Sequence, residues 1–124
     1  MNPEKRKQRK WFFLPLCLLF TIACEKVQFE PVVIPNTDRS FLNDIQPILT
    51  SNCVECHPPT KGLDLNPETS YASLVPEFVT AADSTNSQGS KLYHKLTGSS
   101  HSSRTSDIDK QVILQWISQG APNN

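Results

Sequence analysis

Five consecutive residues carry the chemistry legible in this chain: Cys53-Val54-Glu55-Cys56-His57. Cysteines three positions apart stand on one side of a helical turn, so both sulfurs can reach one edge of a single planar group. With a histidine directly after the second cysteine, the spacing is that of covalent haem attachment. Each thiol would add across one vinyl group to give a thioether, and the imidazole would swing under the ring to bind iron as the proximal ligand. Three other chemistries use the same residue types. Zinc would take Cys53 and Cys56 with His57 and either His94 or His101, but the chain has no second closely spaced ligand pair. Thiol–disulfide exchange needs a C-x-x-C where a strand meets a helix, and no such pattern surrounds these residues. A plain disulfide between Cys53 and Cys56 would suit an oxidising compartment. Val54 and Glu55 serve as spacers, with Glu55 exposed.

The other two cysteines bear on export. Lys5, Arg6, Lys7, Arg9 and Lys10 form a basic start, and Trp11 to Ala23 is almost wholly apolar, broken by Pro15. That run has the length of a signal-peptide core and is short for a membrane span. It holds Cys17 and ends in Thr21-Ile22-Ala23-Cys24. A small residue directly before a cysteine resembles the lipobox of bacterial lipoproteins, although Thr21 stands where that family prefers Leu. The resemblance implies that residues 1–23 are cut away and that Cys24 is lipidated. An uncut N-terminal anchor is the alternative, and both place the remainder on the far side of a membrane. Removing 1–23 takes away five Lys/Arg and Glu4, so the balance of 12 basic and 12 acidic residues becomes 7 against 11, net −4. A mildly acidic domain is a poor binder of nucleic acid.

Elements must position the motif, and their periodicity is helical. Residues 24–39 contain Pro31 and Pro35 and no helical period, and read as a tether, partly laid along the surface. From Ser40, Phe41, Ile45, Ile48 and Leu49 fall on one face of a helix that runs toward Cys53. Pro47 either kinks that helix, if Ser40 caps it, or lies in its first turn, if Asp44 does. Pro58-Pro59 ends it past His57. Short helices are expected near 70–74 and over 90–96, separated by a polar loop, Asp83 to Gly89. The last helix carries a capping-box pattern, Ser106 with Asp109, an apolar face of Ile108, Val112, Ile113, Trp116 and Ile117, and a C′ glycine at Gly120. The fold class is therefore all-α, with long loops and few apolar residues. Such a domain struggles to offset its conformational entropy alone, and a large buried cofactor would complete its core.

These pieces together resemble a family of small bacterial cytochrome c domains. The resemblance rests on Phe41-Leu42-Asn43-Asp44-Ile45-Gln46-Pro47-Ile48-Leu49, the Cys53–His57 motif, Gly62-Leu63-Asp64-Leu65, Ser90-Lys91-Leu92-Tyr93, Leu96-Thr97-Gly98 and Trp116-Ile117-Ser118-Gln119-Gly120-Ala121, in family order. It covers nearly all of residues 40–124 and implies a cytochrome c-like domain with one haem c. It also implies that the first and last helices cross beside the haem, bringing Phe41, Ile45 and Leu49 to Ile113, Trp116 and Ile117. Trp116 and Tyr93 would then pack around the haem, and Asp64 would turn a loop.

The family usually supplies methionine as the sixth ligand, and here the chain departs from it. The only methionine is Met1, and the matching loop reads Gly98-Ser99-Ser100-His101-Ser102-Ser103-Arg104. His101 is the first candidate for the sixth position and His94 the second; a solvated loop histidine would leave the position open. Arg104 is the only cation near that loop, and in such a loop an arginine is more often simply solvated. Two firm ligands imply a non-enzymatic electron carrier, anchored by lipid to the periplasmic face or outer membrane of a Gram-negative bacterium and meeting redox partner proteins. An open position implies a sensor or a peroxidase-like enzyme, and a haemless chain implies a zinc or disulfide module. The thin core predicts that a Cys53→Ala/Cys56→Ala chain expressed without haem is largely unfolded. Its circular dichroism should show little native helix, and a full helical spectrum would refute the expectation.

Overall fold

The computed structural model describes residues 33–124. The expected leader 1–23, with Cys17, the expected lipidation site Cys24 and the tether as far as residue 32 lie outside the described residues. Four short α-helices carry the fold: α1, Gln46–Asn52; α2, Ser70–Leu74; α3, Lys91–Thr97; and α4, Asp107–Ser118. Among the described residues there is no strand, so the domain is all-α. None of the described helices is long and apolar enough to cross a membrane.

The two expected positions of Pro47 are reconciled by a change of helical register. Ser40 is the N-cap, accepting from the Asn43 N–H, but the turn it opens, Phe41–Ile45, is a π-turn. Its wider loop shows in the Ile45 N–H donating to the Ser40 carbonyl at 3.3 Å and the Gln46 N–H donating to the Phe41 carbonyl. Pro47 then falls in the first turn of α1, where an N–H is not needed. α1 stops at Asn52, earlier than the two prolines require, and the motif continues as a separate turn in which the Cys56 and His57 N–H groups donate to the Cys53 carbonyl.

α4 packs across the π-turn. Trp116 is fully buried, with its ring centre 5.5 Å from Phe41, and Phe41 meets Tyr71 edge-on at 5.0 Å. Both polar tips are satisfied: Trp116 Nε1 donates to the Pro122 carbonyl at 2.9 Å and Tyr71 Oη to the Ala121 carbonyl at 3.0 Å. Ile45, Leu49, Ile113 and Ile117 fill the same core, as the helical periods predict. Ile108 does not join it and is 48 % exposed, because it sits one turn beyond the crossing. Trp116 belongs to the aromatic cluster at the crossing, and Tyr93 is half-buried on α3; neither lines the cavity described below.

The ends of α4 follow their sequence signals with one difference. Ser106 caps it by accepting from the Asp109 N–H, but its hydroxyl also donates to the Asp109 carboxylate at 2.8 Å. The short aspartate therefore meets the cap side chain instead of reaching back to the cap N–H. At the other end Gly120 has φ 87°, and the N–H groups of Gly120 and Ala121 donate to the Ile117 and Trp116 carbonyls, a Schellman closure. Chain entry is tied to this helix. Arg39 donates through its backbone N–H to Gln119 and through Nε to Gln115, both at 2.8 Å, and faces Asp44 at 3.4 Å. The end of the expected tether is thus laid along α4.

The loop from 75 to 90 is more regular than its polar composition predicts. It forms two 3-10 turns, Ala81–Thr85 and Ser87–Gly89, the first closed by the Asp83 carboxylate accepting from the Thr80 N–H at 2.7 Å. Ser90 then caps α3. Truncating the centre of the crossing should be far more damaging than straining its end. Trp116→Ala is expected to cost about 3–5 kcal/mol, and Gly120→Ala about 1 kcal/mol, since a methyl there meets no neighbour and only the left-handed backbone resists it. Urea unfolding of the two variants measures both.

Candidate functional site

Cys53, Cys56 and His57 open onto a cavity of about 390 Å³, within the size range of small-molecule and cofactor sites. The turn that follows α1 aims all three side chains the same way, as a one-turn spacing of thiols requires. The walls are apolar and come from every helix: Leu49 of α1, Leu74 of α2, Leu92 and Leu96 of α3, Ile113 of α4. Leu63, Leu65 and Phe78 complete them from the loops.

Three hydrogen-bonded supports hold the Leu63–Leu65 loop in place. Asp64 Oδ1 accepts from the Asn66 N–H at 3.0 Å and from Asn66 Nδ2 at 2.8 Å, the loop turn expected of it. Buried Gln46 donates to the Leu65 carbonyl at 3.3 Å and accepts from the Ser70 hydroxyl, tying α1, the Leu65 loop and α2 together. The Leu65 N–H donates to the His57 carbonyl at 3.1 Å, which joins that loop to the motif itself.

His101 is brought to the site and His94 is not. The ring centres of His57 and His101 lie 6.2 Å apart with their planes within 21° of parallel, and both side chains line the cavity. That separation lies within the range of an ordinary aromatic contact. It is also the span of two imidazoles on opposite sides of one metal ion, since bonds of about 2.0–2.1 Å put such ring centres roughly 6 Å apart. His101 Nδ1 is 2.8 Å from the Ser100 hydroxyl, which leaves its Nε2 as the nitrogen not engaged by that contact. His94 is exposed because Leu92, Lys95 and Leu96 share the inner face of α3, and a residue two positions after Leu92 points away from it.

The electrostatics are lopsided. Burial pushes the Cys53 thiol up, and the neighbouring Cys56 adds to the effect. A thiol held protonated is a weak nucleophile and metal ligand, which disfavours thiol exchange. Both cysteines are free, and among the described residues no three His, Cys, Asp or Glu side chains gather as a metal cage. Arg104, read from its loop as a solvated side chain, lines the cavity while remaining exposed, and it is not the only cation there, because Lys95 joins it from α3.

Thr105 was missed in the sequence, where it reads as the end of a polar loop. It is 5 % exposed, lines the cavity, and its hydroxyl has no partner among the described residues. Only the tertiary structure shows this, because nothing local marks a threonine before a helix cap as buried. Lys95 and the lining leucines were in principle legible from the i, i+3, i+4 face of α3.

An acid-side prediction follows from the Asp64 turn. The Asn66 N–H, chiefly, holds the Asp64 carboxyl below its ordinary value of 3.8. A lowered carboxylate stabilises the fold above that value, and the contribution is lost as pH falls through the lower folded-state value. Between about pH 5 and pH 3 the urea midpoint of the native chain should therefore fall further than that of Asp64→Asn. Equal slopes would show that the turn does not depend on the charge.

No family model, no curated protein and no solved structure matches this chain. Its function is accordingly argued from the cavity and the residues around it.

Proposed function

We propose that this domain binds one haem c and carries electrons, held by a lipid on Cys24 to the extracytoplasmic side of a bacterial membrane as a small cytochrome c-like protein. One observation carries the reading: the C-x-x-C-H cysteines and histidine line one apolar cavity together with His101. The residues fit the group in three respects. Cys53 and Cys56 offer two sulfurs to one edge, His57 and His101 stand at the spacing of two axial ligands, and the leucine and isoleucine walls suit an apolar macrocycle. An unpaired buried hydroxyl at Thr105 points to a polar group on whatever fills the cavity.

In this reading the chain's residues have distinct tasks. Cys53 and Cys56 would hold the group through two thioethers, each formed by adding S–H across a vinyl double bond. His57 and His101 would be its two imidazole ligands, with the Ser100 hydroxyl engaging Nδ1 of His101 and so leaving Nε2 for the metal. The leucine walls exclude water and so set the dielectric around the iron. When bound, haem supplies a reversible one-electron couple, and two imidazole ligands give it a lower potential than an imidazole–methionine pair. The tether to Cys24 would let the haem edge meet donor and acceptor proteins in turn.

Absorption spectra test this. The chain is exported to a compartment with working c-type maturation, purified, and recorded oxidised, reduced and reduced in alkaline pyridine. A c-type pyridine spectrum that survives acid extraction, with a low-spin reduced form that resists carbon monoxide, is the expected result. His101→Ala should convert that form to one that binds carbon monoxide readily, while His94→Ala should leave it unchanged. Rapid carbon monoxide binding by the native protein would instead favour an open iron site, and with it sensing or peroxidase-like chemistry. A colourless protein, with a maturation control coloured, would overturn the haem reading.

A further inference from the structure

We propose that Thr105 and Arg104, with Lys95 of α3, form a carboxylate-binding subsite at the rim of the cavity, which in the holoprotein holds a haem propionate. The inference rests on the haem reading and names the residues that fix the cofactor's polar edge.

Thr105 carries most of it. A buried hydroxyl without a partner is costly, because water has been removed and nothing replaces it. Thr105 Oγ1 is in that position among the described residues, and its side chain lines the cavity, so the missing partner belongs to the occupant. Its charged neighbours define that partner's sign. Arg39, Lys91 and Lys110 each pair with a carboxylate, at Asp44, Glu77 and Asp107. Arg104 and Lys95 line the cavity and make no such pair among the described residues. Both are exposed while lining it, so their charges stand at the rim and their stems lie along apolar surface.

The chemistry of the occupant follows. Its body is apolar, to suit the leucine walls, and its edge is anionic, to receive one hydroxyl donor and two cations. Haem has that division, with a hydrocarbon macrocycle and two propionates on one edge. Thr105 donates one hydrogen bond to a carboxylate oxygen, and Arg104, with five fixed donors, supports the same group from the adjacent position. No carboxylate of the chain lines the cavity among the described residues, so nothing there competes for these donors.

The test is the pH dependence of the midpoint potential of the matured, full-length holoprotein, recorded from about pH 4 to 9. An ionising propionate lowers the potential as pH rises through its own titration, and a donor and a cation beside it keep that titration low. The other titratable groups facing the cavity are Cys53, Cys56, His57, Lys95 and His101, of which the two cysteines and two histidines would be engaged by the haem. Arg104→Gln and Thr105→Val should each raise the inflection by about one pH unit, with Arg104→Lys and Thr105→Ser returning it toward the native value. Lys91→Gln, whose charge is committed to Glu77, should leave it in place. Unmoved inflections in Arg104→Gln and Thr105→Val, with haem attached, would overturn the subsite and spare the haem reading. A native chain that matures without haem would sink both. Arg104 is exposed, so its variant keeps the test decisive even where Thr105→Val fails to accumulate.

Discussion

The packing of α4 across the π-turn, Trp116 against Phe41, is the constraint on which the remaining structure depends. An aromatic cluster, two satisfied polar tips, the first helical turn and Asn124 meet there. Tyr71 is drawn in from α2, and Phe41 and Leu42 donate from their backbone N–H groups to Asn124. Because Phe41 is held at Trp116, Leu49 and Ile113 come to share one wall further along the same two helices. The cavity is the space that opens past that wall, and the motif at the end of α1 and the loop before α4 are delivered to it together.

That delivery explains why the domain can be small and loop-rich. Loops carry functional residues well when a rigid scaffold holds their ends. Here the scaffold is four short helices, and the hydrogen bonds from Gln46 to Leu65 and Ser70, and from Leu65 to His57, transmit its geometry to the loops. The π-turn belongs to the same account. A proline six residues before Cys53 would break an uninterrupted helix; the wider turn absorbs it and lets Ile45 and Leu49 both face the core.

The distribution of polarity inside the cavity favours a bound group that is apolar in its body and polar at one margin. The walls are hydrocarbon, the thiols and imidazoles face into the same space, and the cations, themselves exposed, lie where the cavity meets solvent. Cys53 shows the consequence of that arrangement in the free chain, since burial disfavours its thiolate. A thiol in such a place is better suited to a permanent covalent bond than to cycling between redox states. If the group is the proposed haem, two histidines rather than a histidine and a methionine would set its potential.

Much of this was determined by the sequence alone. The all-α class, the face of α4 at Ile113, Trp116 and Ile117, the Gly120 closure and the one-sided placement of Cys53, Cys56 and His57 depend on local periodicity and short-range hydrogen bonds, which are read directly from residue order. What needed the tertiary structure depends on which surfaces meet. The crossing leaves Ile108 exposed and takes Trp116 for the core, away from the cavity. The inner face of α3 turns His94 outward and Lys95 inward, and the loop before α4 carries His101 to within 6.2 Å of His57. Thr105 is the sharpest case: burial without a partner is a property of the surroundings, and no local pattern of residues can encode it.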